Sequence, residues 1–134
     1  MCSPELASPK ASLGCIEVAT PPEFPKGVAG VWSPEHLFTA SVASCLMTTF
    51  LAIAENSKLE YKSFTCHAKG KLEAVGGVMM MSEVHLFPEV CIINDHDRAK
   101  ANKVLEKAEH ACLISNSIKS KVLLVPTVVI EVAA

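Results

Sequence analysis

The sequence is short of several things, and each shortage excludes a class of function. It has one arginine, Arg98, and its lysines are scattered, so it has no basic stripe to follow a phosphate backbone. Aromatic residues make up 5% of the chain, which leaves little for stacking on bases. Net charge is only −2, again without the electrostatic footprint of a nucleic-acid binder. The six cysteines include no CxxC pair, which removes zinc-ribbon and thioredoxin-like motifs. They are also too sparse for a disulfide scaffold. No glycine-rich phosphate loop, GxSxG or HExxH is present. Charged residues are 19% of the total.

What is present is apolar. Half of the 134 residues are hydrophobic, enough for a real core and for a single domain over residues 1–134. Met1 to Lys10 hold prolines, Glu5 and no apolar h-region, so the segment does not read as a secretory signal. That predicts a cytoplasmic chain with reduced thiols. Leu37 to Ala54 carries no charge over 18 residues, the lower edge of a membrane span. Thr39, Ser41, Ser44, Thr48 and Thr49 interrupt it and no lysine cluster flanks it, so the expectation is a buried core helix and no membrane.

The order of elements follows from pattern and punctuation. Residues 1–13 read as a loose N-terminal segment and Cys15 to Ala19 as a short strand. Pro21, Pro22, Pro25, Gly27 and Gly30 make a loop. Ser33-Pro34-Glu35 is a helix start: a cap, a first-turn proline and an acid complementing the dipole. The helix runs to about Asn56. Tyr61 to Val75 and Met79 to Ile93 form a hairpin around Gly76-Gly77, with Pro88 breaking or bulging the second strand. A second helix starts at Asn94-Asp95 with the stripe Ala101, Val104, Leu105, Ala108, Ala111 and Cys112. Ser115 to Ser120 is a turn. Leu123 to Val132 is a last strand, with Pro126 at an edge or bulge. This β-α-β-β-α-β order predicts an α+β fold: an antiparallel sheet with two long helices, one central and buried.

Two cysteines lie on these helices. Phe38, Ser41, Val42, Cys45, Thr48, Thr49 and Ala52 share one face of the first, mixing a thiol with small polar groups. Leu37, Ala40, Ser44, Met47, Leu51 and Ala54 form a more ordinary core face. Cys112 follows Ala108 by four residues and Val104 by eight, so it faces the core that receives the first helix. Packing alone would account for both thiols. His110 lies about 200° around the helix from Cys112 and cannot act as its base there. Cys66, His67, His85 and Cys91 match no standard zinc spacing. Met79 to Met81 would alternate faces in a strand, leaving at least one exposed or at an interface.

Read in order, Ser33-Pro34-Glu35-His36-Leu37-Phe38, Ser44-Cys45-Leu46-Met47-Thr48-Thr49, and Leu105-Glu106-Lys107-Ala108-Glu109-His110-Ala111-Cys112-Leu113-Ile114-Ser115 resemble the OsmC/Ohr family over about Cys15 to Val132. The resemblance implies an intertwined homodimer with active sites at the subunit interface. It implies thiol-dependent reduction of organic hydroperoxides, with Cys45 as peroxidatic thiol, Cys112 as resolving thiol and Glu35 as the active-site glutamate. The cycle needs an external dithiol and neither metal nor flavin: sulfenic acid, then disulfide, then reduction. An OsmC-like redox-sensing or small-molecule-binding protein without efficient turnover is the alternative.

Two features bear on that implication. Family members carry an arginine in the N-terminal segment that holds the thiolate and the glutamate, whereas here none precedes Arg98. Lys10, Lys26 and Arg98 of the partner subunit are the cations left for the role. Glu35 and Cys45 are also ten residues apart, roughly 15 Å along an unbroken helix. Either the helix breaks between them or Glu35 serves the Cys45 of a second subunit.

Overall fold

A computed structural model describes Glu5–Leu6 and residues 13–131. The loose segment expected over residues 1–13 lies almost wholly outside the described residues, as do Cys2 and Lys10. The chain falls into two compact units that meet in sequence between Phe38 and Thr39.

In the first unit, β1 (Glu5–Leu6) and β2 (Ile16–Glu17) pair antiparallel, Glu5 opposite Glu17. Val18 then bridges to Trp32, and the Ala19 N–H donates to the Trp32 carbonyl at 2.8 Å. The proline-rich loop between them is held by its own backbone. Phe24 N–H donates to the Pro21 carbonyl, Gly27 N–H to Phe24 and Val28 N–H to Thr20. Gly27 is required there, because a Cβ would sit 2.0 Å from the Pro21 oxygen. Ser33 caps the helix that follows. Its Oγ accepts the His36 N–H at 3.1 Å, and His36 Nδ1 accepts the Ser33 N–H at 3.3 Å. This is a reciprocal capping box with histidine in the place usually held by glutamate.

Helix α1 (Pro34–Asn56) begins in the first unit and continues without a break into the second. There, β3 (Tyr61–Val75) and β4 (Val78–Ile92) form a long antiparallel hairpin. Gly76 and Gly77 make its turn with φ of 58° and 81°, the two positive angles that a type I′ turn needs. One register shift falls between Lys71 and Leu72. Helix α2 (Arg98–Ala111) follows a short 3₁₀ turn over Asp95–Asp97. Arg98 fixes its start, donating from Nε to Asp95 at 3.2 Å and from a guanidinium nitrogen to the Val128 carbonyl at 2.7 Å. The chain ends in β5 (Lys121–Leu124) and β6 (Thr127–Ile130).

Two expectations change here. The sheet is antiparallel only in its hairpin, because β5 and β6 both join β4 in parallel. The crossover through α2 returns the chain to the end of β4 from which it can only run alongside. Pro88 neither breaks nor bulges β4; it pairs with Cys66 in register and is fully buried. The reason lies across the strand. Leu86 accepts from Val125 and Ile92 from Glu131, so even-numbered residues of β4 direct their backbone groups toward β5 and β6. The donor that Pro88 lacks would point at the interruption between these strands, Val125-Pro126, which belongs to neither strand.

The core of this unit is one stripe of α1 (Val42, Leu46, Phe50 and Ala54), the alternate residues Val84, Leu86, Val90 and Ile92 of β4, and Ala101, Val104, Leu105 and Ala108 of α2. Phe50 stacks on Phe64 at 4.6 Å and meets the Tyr61 ring edge-on at 5.3 Å. At the other end, a Cβ on Gly70 would lie 2.6 Å from Thr39 Oγ1, so α1 approaches β3 closely there. The face expected to be ordinary core is not the buried one. Met47 is 40% exposed and Leu51 41%. One sheet and one helix cover only one side of a 23-residue helix, and the rest of α1 stays uncovered by this chain. By length and composition alone α1 could cross a membrane.

Candidate functional site

Cys45 lies near the middle of α1 and Cys112 immediately after the last residue of α2. The fold brings the two thiols close enough for each to shift the other's titration. Both are free; Cys45 is half-buried and Cys112 fully buried. The contact depends on how α2 ends. Cys112 leaves helical geometry with ψ of 110°, while its N–H still reaches the Glu109 carbonyl at 3.3 Å. The chain then turns at once into the 3₁₀ segment Ser115–Ser117, where Asn116 N–H donates to the Cys112 carbonyl at 3.0 Å and Ser117 N–H to Ile114. Leu113 and Ile114 thus lie at the start of a turn, where N–H groups have no partner within the turn.

Burial pushes the Cys45 thiol up, but donors outweigh it and hold it below the ordinary cysteine value. They are the Ile114 N–H, the Cys112 thiol, the Thr49 hydroxyl and the Leu113 N–H. All are uncharged. A mid-helix cysteine gains little from its own helix dipole. Here the donors come from a different part of the chain and from the next turn of α1.

Cys112 moves the other way. Burial raises it; the Ser115 hydroxyl and N–H act against that; its bond to Cys45 and the charge there raise it further. The Ser115 hydroxyl is buried and makes no hydrogen bond of normal geometry. Of the two thiols, Cys45 is thereby the more readily ionised.

A cleft of about 440 Å³ opens beside this turn, lined by Glu106, Glu109, His110, Ser115, Asn116, Ser120 and Val122. It is polar. Burial, then the neighbouring Glu106 carboxylate, pushes Glu109 up.

The other expected participants are placed differently. Glu35 sits half-buried in the first turn of α1. Because α1 is unbroken, the ten residues to Cys45 amount to roughly 15 Å along the helix. Arg98 is at the opposite end of α2 from Cys112 and is engaged with Asp95 and Val128. Cys66 shares the buried face of the sheet with Pro88, whereas His67, His85 and Cys91 lie on the opposite face, paired with Phe87, Lys69 and Ser63. The four cannot converge, and no metal-holding group occurs among the described residues. Of the three methionines, Met79 is exposed and the other two half-buried. The contributions missed by sequence reading were Thr49, Ser115 and the two amides. Only Thr49 left a signal, its position one turn after Cys45.

Residues 27–125 match the protein family described as OsmC-like protein. The chain belongs to the OsmC-like family. The Bacillus subtilis (strain 168) protein YmaD is 30% identical over 93 residues, covering 67% of this chain and 62% of that protein. The chain therefore spans less than two thirds of this relative's length. An OsmC-like protein of unknown function from Vibrio cholerae superposes with a TM-score of 0.79 at 26% identity, covering 87% of this chain and 79% of that one. An organic hydroperoxide resistance protein OsmC from Legionella pneumophila gives a TM-score of 0.70 at 24% identity, covering 87% and 82%. This OsmC-like chain shares their mixed α+β architecture of two helices and an open sheet.

Proposed function

We propose that the OsmC-like chain reduces organic hydroperoxides through its two apposed thiols. The Cys45 thiolate attacks the peroxide O–O bond, releasing an alcohol and becoming a sulfenic acid. The Cys112 thiol condenses with it, forming the disulfide and releasing water. An external dithiol then restores both thiols. The single observation that carries this reading is the opposite shift of two neighbouring thiols, each acting on the other's titration, the more readily ionised being also the more accessible. A sulfenic acid formed at Cys45 has its resolving partner already beside it.

A homodimer completes the reading. Met47, Leu51 and Leu113 (72% exposed) leave apolar surface near Cys45 that a second copy would cover, as well as surface suited to an organic rather than an inorganic oxidant. The unbroken α1 leaves Glu35 to act on the Cys45 of a second copy. The expected setting is the cytoplasm, with no membrane and no nucleic-acid partner. The test is consumption of cumene hydroperoxide with dithiothreitol in excess. The wild-type protein turns over, and C45S does not; equal rates in the two would end the proposal.

One observation favours a second reading. Arg98 is occupied at the start of α2, and no arginine precedes it. A thiol pair activated only by uncharged donors fits a redox sensor that oxidises once and turns over slowly. Stoichiometric oxidation without multiple turnovers in the same assay would select this reading.

A further inference from the structure

We infer that Cys45 has a second role in the cycle: the external dithiol attacks the Cys45 sulfur of the oxidised pair, and Cys112 is the thiol released. The inference rests on the proposed Cys45–Cys112 disulfide and names the sulfur through which that bond is reduced.

The two sulfurs are unequally reachable. Cys112 is 0% exposed, whereas Cys45 is only half-buried. Cys112 continues the buried stripe of Val104 and Ala108, and the chain closes around it on both sides. Its N–H donates to the Glu109 carbonyl at 3.3 Å, and its carbonyl accepts the Asn116 N–H at 3.0 Å. Asn116 Nδ2 donates to the His110 carbonyl at 3.1 Å, and Ser117 Oγ to the Leu113 carbonyl at 2.7 Å. These bonds tie the end of α2 to the turn that follows. The side chain presented to solvent at this point is that of Leu113, 72% exposed. Reaching the Cys112 sulfur from outside means opening the turn.

The step is thiol–disulfide exchange. One thiolate of the dithiol attacks the Cys45 sulfur. The Cys45–Cys112 bond breaks, and its electron pair leaves on the Cys112 sulfur, which takes up a proton. The dithiol's second thiolate then attacks the external sulfur of the mixed disulfide. The electron pair returns to Cys45, and the dithiol departs as a cyclic disulfide. Leaving-group chemistry alone points the other way, since Cys45, the sulfur held below its ordinary value, is the better one to expel. That preference only grades the rate. A sulfur without accessible surface is not attacked until the fold opens, so access decides.

The experiment traps the mixed disulfide. The wild-type protein is oxidised with one equivalent of cumene hydroperoxide or, separately, of diamide, and exposed briefly to excess 2-mercaptoethanol. Acid stops the exchange, N-ethylmaleimide caps the free thiols, and peptide mass spectrometry locates both labels. The mercaptoethanol adduct should be on Cys45 and the maleimide on Cys112, exceeding the reverse pattern by about tenfold or more. In C45S, iodoacetamide should alkylate Cys112 about tenfold or more slowly in the native protein than in urea.

An adduct chiefly on Cys112, or shared equally, overturns the proposal. Alkylation of Cys112 in native C45S as fast as in urea overturns it as well. The trapping uses the wild-type chain, so it decides even if C45S fails to fold. If diamide joins the two thiols and cumene hydroperoxide does not, the peroxidase reading fails and the adduct position still decides this one. If neither oxidant joins them, both fall.

Discussion

Cys45 and Cys112 shift in opposite directions: neighbouring donors, the Ile114 N–H foremost, hold the Cys45 thiol below its ordinary value against the effect of burial, and burial holds the Cys112 thiol above it, each thiol acting on the other as a smaller cause. Removing either sulfur therefore changes the other. In C112S, one equivalent of cumene hydroperoxide should leave Cys45 as a sulfenic acid that dimedone traps. The wild type should lose two hydrogens and yield a Cys45–Cys112 linked peptide pair. A dimedone adduct on the wild type equal to that on C112S would show that Cys112 does not resolve Cys45.

Alkaline stability should report Cys66. Burial raises its thiol above the ordinary value. A group whose folded pKa is raised contributes stability that is complete below the unfolded value and is lost as pH rises through the folded one. Unfolding midpoints in urea should therefore fall from about pH 8.5 upward, the ordinary cysteine value. Cys66→Ala should flatten that fall. An identical slope in the variant would rule Cys66 out as its source.

Gly27→Ala tests the loop that precedes α1. The new Cβ would meet the Pro21 carbonyl oxygen 2.0 Å away, an impossible contact with backbone. The loop must open, and the expected cost is about 1–3 kcal/mol by chemical denaturation. Gly14→Ala, where nothing lies within 4 Å, is the matched control. Equal stabilities would show that the loop adapts freely.

Phe50→Ala removes the ring packed between Phe64 and Tyr61 and should cost about 3–5 kcal/mol. Phe50→Leu should cost appreciably less, because it retains most of the apolar volume. A loss under 1 kcal/mol in the alanine variant would mean that α1 does not depend on this cluster.

The uncovered side of α1 predicts self-association. The double variant M47E/L51E places charge on residues that are 40% and 41% exposed, so an isolated chain should tolerate it. A homodimer covering that face should not. Sedimentation velocity should show a dimer for the wild type and a monomer for the variant. A wild-type monomer at the same concentration would remove the homodimer from the proposal.

The sequence by itself determined most of the elements and singled out the two thiols of the candidate site. Local chemistry is sufficient for this: Ser33-Pro34 starts α1, Gly76-Gly77 turns the hairpin, and four-residue spacing puts Val104, Ala108 and Cys112 on one stripe. Only the tertiary structure decided which stripe of α1 is buried. An almost wholly apolar helix carries no periodic signal to choose a side. It also decided that β5 and β6 run parallel to β4, since strand direction depends on where the crossover lands. Above all, it decided which groups lower the Cys45 thiol. Backbone amides have no letter in the sequence, and those of Leu113 and Ile114, from the turn after α2, are among those groups.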